Sequence, residues 1–309
     1  MIWCSLFNPA IDALYSLADF ETGKTYTGVH SRIDPAGKGV NVARIISALG
    51  EETAVIGIMP EASRGMYELA MKGISIGASF FPVAGAARIN VTISEADGGR
   101  TTHISAQNQK LASGMQSEFI DFLEQQMKTK DLWALSGSVP DGFERGLYQK
   151  VIAILKKKKI GCLLDSSDAA LTMGIRAKPD MVKPNLSELE SYFGEKIKGI
   201  RHIALRGKRL LDLGIPRIFI SLGSDGLIAL QGNDCLLCSA PSVKAVDTVG
   251  CGDALVAGLM VGWKRSFSFT EMCRMAVACG VSKALHLGAG IIDINEVWQI
   301  MEDVSIESV

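Results

Sequence analysis

Short runs of β-branched and aliphatic residues alternate with amphipathic helical patterns from about residue 35 onward. TAVIGIM (53–59) is typical of a buried strand, and GKGVNVARIISALG (37–50) of the helix before it. Further strands are predicted at 131–137, 160–165, 181–185 and 217–223, and further helices at 114–129, 143–157, 187–193 and 202–213. Because a crossover helix returns the chain to the same edge of a sheet, strands of this kind run parallel. The sequence therefore predicts an α/β fold whose mainly parallel sheet is covered by helices on both faces.

Two segments, at about 11–33 and 86–105, interrupt this alternation. In RINVTISEADGGRTTHIS, the apolar residues Ile89, Val91 and Ile93 alternate with polar ones ahead of a DGG turn. Strands with one wet face do not belong inside a doubly covered parallel sheet, so we expect a small separate sheet. We predict that it is a lid inserted in a single domain spanning residues 1–309, and that a homodimer forms through it.

Charge and hydropathy limit the classes of partner. A formal net charge of -1 predicts no nucleic-acid partner and no attraction to an anionic membrane surface. Apolar runs such as LVAGLMVGW (255–263) are too short to span a bilayer, and MIWCSLF lacks the basic segment of a secretory signal. Seven scattered cysteines favour reduced thiols in a cytoplasmic protein. Cys235 and Cys238 form a C-x-x-C with no zinc-spaced companions, so we predict two thiols in a β-hairpin.

DTVGCGDALVAG (247–258) is the segment with the clearest chemical content. Its glycines allow a tight turn into a helix whose first N–H groups point outward, which suits a negatively charged phosphoryl group. Asp253 at this turn is placed to take a proton from an attacking hydroxyl. It is equally explained as a first-turn acid that complements the helix dipole.

Two other segments resemble nucleotide motifs without meeting their requirements. ADFETGKT (18–25) matches a relaxed Walker A pattern, but the following YTGVHSRI has strand and turn character where a P-loop needs a helix. SLGSDG (221–226) falls short of G-x-G-x-x-G, which disfavours a dinucleotide-binding oxidoreductase. It is predicted instead as a strand, a glycine turn and a second strand.

Seven blocks occur in an order that is similar to the PfkB/ribokinase family of carbohydrate kinases, from about residue 5 to residue 292. They are NPAID (8–12), GKGVNVAR (37–44), ARIN (87–90), SGSVP (136–140), KPNLSELE (183–190), SLGSDG and DTVGCGD. NPAID and SGSVP further resemble the phosphosugar branch, with 1-phosphofructokinase and tagatose-6-phosphate kinase. The resemblance implies a ribokinase-like, Rossmann-type fold with a β-sheet lid. It also implies transfer of the γ-phosphate of ATP, with Mg²⁺, to a hydroxyl of fructose 1-phosphate or tagatose 6-phosphate.

The resemblance also implies roles for individual residues. Asp253 would deprotonate the acceptor hydroxyl, and Gly250, Cys251 and Gly252 would form an anion hole. The implied ligands of the sugar and its phosphate are Asp12, Gly37, Lys38, Asn41, Arg88 and Ser138. The implied nucleotide ligands are Lys183, Asn185, Glu188, Ser221, Gly223 and Gly226, with Asn185 and Glu188 also holding Mg²⁺ through water.

Each of these roles has a plainer alternative. Glu188 is also explained as a helix N-terminal acid, Asn41 as a residue that stabilises a helix start, and Arg88 as a partner across the lid sheet. Lys38 is also explained as a solvated lysine of the first helical turn, although a cation there opposes the helix dipole, which favours an anion beside it. Asp12 among apolar neighbours requires a hydroxyl or a cation as partner.

Four features depart from the family's usual pattern. Ala36 replaces a glycine of GGKG, and Cys251 replaces the alanine of GAGD. Thr27 stands where this branch often has a basic residue near the substrate phosphate, and Lys24 is the candidate replacement. SAQNQ (105–109) replaces a stretch with glycine and proline. Phosphoryl transfer remains the favoured chemistry, and the identity of the sugar stays open.

Two alternative functions follow from the same residues. The first is a kinase of an unphosphorylated sugar or nucleoside, although Lys38 and Arg88 would then lack an anionic partner. The second is a sugar-binding protein of the same fold without turnover, although such a protein needs no base at Asp253.

Overall fold

The computed structural model describes residues 1–96, 99–107, 110–112 and 114–309. Its strands are Ile2–Leu6 (β1), Ala10–Leu17 (β2), His30–Ala36 (β3), Thr53–Pro60 (β4), Gly77–Val83 (β5), Arg88–Glu95 (β6), Thr101–Ile104 (β7), Leu132–Ser136 (β8), Gly161–Asp165 (β9), Met181–Val182 (β10), Arg217–Ser221 (β11), Leu227–Gln231 (β12), Asp234–Ser239 (β13) and Ser305–Ser308 (β14). Its helices are Lys38–Ala48 (α1), Arg64–Gly73 (α2), Met115–Gln126 (α3), Leu147–Lys157 (α4), Asp168–Arg176 (α5), Leu186–Phe193 (α6), Ile200–Asp212 (α7), Cys251–Lys264 (α8), Phe269–Leu285 (α9) and Ile294–Asp303 (α10).

The main sheet has the strand order β14-β13-β12-β11-β10-β9-β8-β1-β4-β5. The strands from β11 to β5 are parallel, and β12, β13 and β14 join them antiparallel at one edge. From β1 the chain moves outward to β4 and β5, then returns to β8 on the other side of β1. The winding direction therefore reverses between β1 and β8. Such a reversal opens a crevice beyond the carboxyl ends of the strands, where α/β sheets bind ligands.

Two apolar layers enclose this sheet, as the sequence predicts. Alternate residues of β1 enter opposite layers: Cys4 packs with the layer of α1, α8 and α9, and Trp3 with the layer of α3 to α7. This period of two is the strand geometry that places neighbouring side chains on opposite faces. The predicted doubly covered α/β fold is confirmed.

The start of α1 lies directly on β1 because Gly39 has no side chain. A Cβ at Gly39 would stand 2.1 Å from the main-chain oxygen of Ser5, so a larger residue would push the helix away. The predicted apolar stripe of α1, with Val40, Ala43 and Ile46, is fully buried. This packing fixes the first turn of α1 at the carboxyl edge of the sheet.

A second sheet has the order β3-β2-β6-β7, with β2 and β6 parallel and the outer pairs antiparallel. Its polar face, which includes Asp12 and Arg32, lines a cavity. Its other face carries Ile33, Ile89 and Ile104, which are 53–56% exposed. The small separate sheet expected from the alternating segments is present.

The predicted main-sheet strands and helices all occur, with ends that differ by a few residues. The strand predicted at 181–185 is shortened to Met181–Val182, because Pro184 has no N–H and Asn185 already caps α6. SLGSDG forms the end of β11 and the short turn that leads into β12, so the predicted strand–turn–strand order is present.

Several local predictions can be checked directly. Cys235 and Cys238 are free thiols in the β12–β13 hairpin, as predicted. The chain after residues 18–25 continues into β3 and not into a helix, so ADFETGKT is not a P-loop. Asp97 and Gly98 of the predicted DGG turn lie outside the described residues, as do Asn108 and Gln109 of SAQNQ. No helix in the described part of the chain is long and apolar enough to cross a membrane.

Candidate active site

The predicted site residues gather at the carboxyl edge of the main sheet. The ends of β1, β8, β9, β10 and β11 all reach this edge, because these strands are parallel. The first turns of α1 and α8 approach it from one face. The structure thus brings together segments that are far apart in the sequence, at the place where the winding direction reverses.

Asp253 lies in the first turn of α8 and is 5% exposed. The helix begins at Gly250, whose φ of 87° is a left-handed conformation that favours glycine. Asn41 Nδ2 donates to Asp253 Oδ2 at 2.8 Å. Burial raises the pKa of Asp253 to about 6, against the lowering effects of Lys38 and of the Asn41 hydrogen bond. A carboxyl with this pKa is mostly ionised at pH 7 and can still accept a proton, as a general base must.

Asp165, at the end of β9, joins two lysines of the site. It is 1% exposed, and its oxygens lie 2.9 Å from Lys38 Nζ and 2.8 Å from Lys183 Nζ. Burial alone would raise the pKa of Asp165, but the two ammonium groups outweigh it and hold the pKa at about 2. Asp165 in turn raises the pKa of Lys38. Two cations are therefore held near Asp253 by an ionised carboxylate.

The strand-end cavity lies between the ends of β1 and β8. Its volume is about 320 Å³, within the range of small-molecule sites, and four predicted ligands of the sugar and its phosphate line it: Gly37, Lys38, Arg88 and Ser138. Arg88 Nε is buried and has no hydrogen-bond partner among the described residues. Ser138 Oγ accepts a hydrogen bond from Asn8 Nδ2 at 2.8 Å. The orphaned arginine donor and the neighbouring hydroxyl suit a phosphate group.

The small-sheet cavity lies between the polar face of the small sheet, α1 and the loops around Asp247 and Gly288. It contains Asp12 and Asn41, two of the three predicted ligands of sugar hydroxyls, whereas the third, Gly37, lines the strand-end cavity. Asp12 is half-buried and accepts a hydrogen bond from the amide of Asn90 (Nδ2) at 2.9 Å, which corrects the expectation that Asp12 requires a hydroxyl or a cation as its partner. Asn41 Oδ1 is buried and has no partner in the described residues, so it is available to a hydroxyl donor.

The nucleotide-side residues adjoin the start of α8. A Cβ at Gly252 would lie 3.9 Å from Lys183 Nζ, so the lysine stands beside the predicted anion hole. Cys251 is partly exposed in this turn, and burial raises the pKa of its thiol. Ser221 pairs with Asn185 through an isolated bridge, which places the end of β11 beside the start of α6. Gly223 and Gly226 form the turn that follows Ser221, both with positive φ.

Asn185 and Glu188 form a capping box at the start of α6. Asn185 Oδ1 accepts from the Glu188 N–H, and Glu188 Oε2 accepts from the Asn185 N–H, both at 2.8 Å. Glu188 therefore does stabilise the start of α6, as its plainer alternative predicts. It is also half-buried and lines the strand-end cavity. Burial raises the pKa of Glu188.

Magnesium would have to bind here without a cage of protein ligands. In the residues that the structure describes, no group of three or more acidic, histidine or cysteine side chains is placed to hold a metal ion. Mg²⁺ usually keeps several waters and takes its other oxygens from phosphates and one or two carboxylates. Glu188, with one oxygen engaged in the cap, fits such a water-mediated contact.

Sequence reasoning missed several residues of the site. Asp165 ends the strand IGCLLD, and an acid at the end of a buried strand was the available signal. Asn90 was hidden in the ARIN block, and Arg32 and Arg44 of the small-sheet cavity gave no signal of their own. Lys24 forms an exposed ion pair with Glu21 and lines neither cavity.

A buried carboxyl at a glycine turn, cations beside it and a doubly covered sheet suit a phosphotransferase that acts on an alcohol group. Residues 6–295 match the family model described as pfkB family carbohydrate kinase. The chain therefore belongs to the PfkB family and is a carbohydrate kinase.

Similar proteins extend over nearly the whole chain. A 1-phosphofructokinase of Haemophilus influenzae is 31% identical over 301 residues, covering 97% of this chain and 96% of the relative. A 1-phosphofructokinase of Bacillus subtilis is 27% identical over 308 residues, covering 99% of both. The structure of phosphofructokinase-2 from Escherichia coli in complex with potassium superposes with a TM-score of 0.91 at 21% identity, covering 98% of both chains. This last likeness confirms the ribokinase-like fold.

Proposed function

We propose that this protein transfers the γ-phosphate of ATP to a hydroxyl of a ketohexose phosphate. Fructose 1-phosphate is the first candidate acceptor, because the relatives named 1-phosphofructokinase match over nearly the whole chain, and tagatose 6-phosphate is the second. The observation that carries the proposal is the buried base Asp253, held by Asn41 beside the Lys38–Asp165–Lys183 cluster.

Proton removal is assigned to Asp253. Its carboxylate accepts the proton of the acceptor hydroxyl while that oxygen bonds to the γ-phosphorus and the bond to the bridging β,γ-oxygen breaks, releasing ADP. Asn41 keeps the carboxylate oriented through the 2.8 Å hydrogen bond. Because the base is buried, its proton affinity at neutral pH is higher than that of an ordinary aspartate.

Charge stabilisation is assigned to the first turn of α8 and the two lysines. The N–H groups at 250–252, of which that of Cys251 also donates to Thr248 O at 3.3 Å, and the ammonium groups of Lys38 and Lys183 would stabilise the negative charge of the transferring group. Asp165 keeps both ammonium groups in place before substrate arrives, so no reorganisation is needed during transfer.

Recognition of the acceptor is divided between the two cavities. Asp12 and Asn41 in the small-sheet cavity would bind sugar hydroxyls, and Arg88 with Ser138 in the strand-end cavity would bind the substrate phosphate. ATP would contact Lys183, Ser221, Gly223 and Gly226. Mg²⁺ bound to its phosphates would meet Asn185 and Glu188 through water and neutralise phosphate charge.

The small sheet is assigned the role of a lid within one kinase domain. Its polar face closes one side of the cavity that contains Asp12, and closure over bound sugar would exclude water from the transfer. Exclusion of water matters because the base could otherwise activate water against ATP.

A panel of acceptors tests the function. ADP release with Mg-ATP is measured on fructose 1-phosphate, tagatose 6-phosphate, fructose 6-phosphate, fructose, tagatose and ribose. We expect turnover on one ketohexose phosphate, and a loss of roughly 10²- to 10⁴-fold in Asp253→Asn. Asp234→Asn, at an exposed acid of the β12–β13 hairpin, is the matched control.

Two results would overturn the proposal. Turnover on neutral sugars alone would remove the phosphate role of Arg88 and favour a kinase of unphosphorylated sugars. Sugar binding without turnover on any acceptor would favour the binding protein.

The apolar face of the small sheet supports a homodimer. Ile33, Ile89 and Ile104 form a continuous exposed surface that water solvates poorly, and a second copy offers the same surface in return. Ile33→Glu is expected to shift the mass in light scattering from dimer to monomer. Leu69→Glu, at an exposed leucine of α2, should leave it unchanged. A monomeric wild type would contradict the dimer.

A further inference from the structure

Lys283 lies in the last turn of α9 and is fully buried, although its side chain ends in an ammonium group. Its Nζ donates to three oxygens: Asp247 O at 2.8 Å, His286 O at 3.1 Å and Asp247 Oδ2 at 3.3 Å. An ammonium group has three donors, so every one of them is used. A buried charge with complete hydrogen bonding is stable, whereas removing its partners, or the charge itself, leaves buried groups unsatisfied.

The three acceptors belong to two loops that Lys283 joins. Asp247 precedes the glycine turn of α8, and His286 follows α9. The same carboxylate of Asp247 accepts from Val249 N at 2.9 Å and from Gly288 N at 3.0 Å. The main chain adds a direct bond from Val246 N to Ala284 O at 2.7 Å. One ammonium group therefore stands at the centre of the contact between the 246–250 loop and the 284–289 loop.

This contact borders the catalytic turn. A Cβ at Gly250 would lie 3.2 Å from Ala289 Cβ and 3.7 Å from Lys283 Cε. Gly250 sets the direction in which the first N–H groups of α8 point, and Asp253 follows three residues later. A displacement of the Asp247 loop would thus move the predicted anion hole and the base together.

The oxygens around Lys283 Nζ are of the kind that hard cations take as ligands. Two main-chain carbonyls and one carboxylate would attract a monovalent metal ion if the ammonium were missing. We propose that Lys283 is a positioning residue whose ammonium group serves as a built-in monovalent cation for the 247–250 turn, so that phosphoryl transfer needs no added potassium. This role rests on the proposed kinase function and adds to it a cation independence that the function alone does not require.

The first test uses the unaltered protein. Turnover on its best acceptor is compared in buffers of potassium and of tetramethylammonium, which is too large to enter the loop contact. We expect the same turnover in both. A several-fold increase in potassium would overturn the proposal.

The second test removes the ammonium group. Lys283→Ala in tetramethylammonium is expected to lose turnover by roughly 10- to 100-fold, the cost of a small displacement of catalytic groups. Potassium or ammonium ions should restore a large part of it, because they can occupy the space left among the three oxygens. Lys283→Gln keeps two N–H donors without the charge and should resist rescue. Lys264→Ala, at an exposed lysine in the last turn of α8, is the matched control. Full turnover of Lys283→Ala without small cations would overturn the proposal.

Thermal unfolding separates failure of this inference from failure of the proposed function. The Tm of Lys283→Ala should rise on exchange of tetramethylammonium for potassium, and the Tm of the unaltered protein should not. This readout needs no acceptor, so it decides the role of Lys283 even if no sugar on the panel is phosphorylated. If Lys283→Ala does not fold, the Tm of the unaltered protein alone decides. A Tm that is higher in potassium than in tetramethylammonium would contradict the proposal, and an equal Tm would support it.

Discussion

The start of α8 and the end of β9 each present one buried aspartate to the same site, yet the two carboxyls have opposite properties. Asp253 has a pKa of about 6 and Asp165 a pKa of about 2, although both are almost fully buried. The difference comes from their partners. Asp165 is ion-paired with Lys38 and Lys183, whereas the direct partner of Asp253 is the neutral amide of Asn41. Burial raises the proton affinity of both carboxyls, and in Asp165 the two adjacent cations outweigh that effect.

The largest effect is expected from Asp165→Asn. It leaves two ammonium groups without their shared counter-charge, and breaking a buried ion pair in this way costs roughly 3–5 kcal/mol. The free energy of unfolding at pH 7, from denaturant titration, checks this value. Asp168→Asn, at an exposed aspartate three residues on, is the control. Equal stability of both variants would show that the lysines do not depend on Asp165.

Asp253→Asn is expected to act in the opposite direction and to stabilise the fold. Folding raises the pKa of Asp253 from 3.8 to about 6, so the ionised form is disfavoured in the folded state. The penalty is complete above about pH 6, amounts to roughly 2–3 kcal/mol at 1.36 kcal/mol per pKa unit, and vanishes below about pH 4. For Asp165 the sign is reversed, since its stabilisation is present above pH 3.8 and is lost as the pH falls through about 2. Unfolding of Asp253→Asn and wild type at pH 8 and pH 4 measures the difference, and a destabilised variant at pH 8 would contradict it.

The pH dependence of turnover tests the raised pKa of Asp253 directly. Activity should fall below about pH 6 as Asp253 becomes protonated. Lys38 lowers the pKa of Asp253, so Lys38→Met should move the acid limb upward by roughly one unit, as loss of a neighbouring opposite charge does. The profile of kcat/KM against pH gives both values. If turnover falls but the acid limb of this profile stays at the same pH, Lys38 does not influence the pKa of Asp253.

A smaller effect is expected at Glu188, whose carboxylate has two proposed roles. Glu188→Gln preserves the capping box, because glutamine serves at this position of the cap, but it removes the charge offered to Mg²⁺. Stability should change little, because glutamine can keep the hydrogen bond of the cap to the Asn185 N–H. The Mg²⁺ concentration for half-maximal turnover should rise. If it does not rise, the only role of Glu188 is in the capping box.

The smallest effect is expected at an exposed pair of the same chemistry as Lys183–Asp165. Lys24 and Glu21 lie 2.5 Å apart, with both side chains more than half exposed. Lys24→Ala should change stability by about 1 kcal/mol or less, because water screens the pair. It should also leave the KM for the phosphosugar unchanged, since Lys24 lines neither cavity. A clear rise in KM would show that Lys24 does bind the substrate phosphate. It would then replace the basic residue that this branch often has at the position of Thr27.

The sequence was sufficient for the doubly covered sheet and for the segments that reach its carboxyl edge, because hydrophobic periodicity and glycine turns are local signals. It could not assign Asp165 its role, because Lys38 is 127 residues away and only the β1–β8–β9 pairing, with α1 packed on β1, brings them together. The Asp12–Asn90 bond likewise depends on the register of β2 with β6. In the sequence, Lys283 is an ordinary lysine in the last turn of a helix. Only the structure shows that its ammonium group is buried between two loops.

The parallel pairing of β2 with β6 sets an order of assembly. Asp12 and Asn90 are partners across 78 residues, and the intervening chain contributes β4 and β5 to the main sheet. Closing so long a loop is entropically costly until those strands have docked, so the small sheet should form after the β1–β4–β5 unit. Chain emerging from a ribosome would thus carry the β2–β3 hairpin, with its isoleucine-bearing face uncovered and without its partner β6, while residues 37–87 are synthesised. Chaperone dependence of this protein should accordingly be concentrated in that early interval.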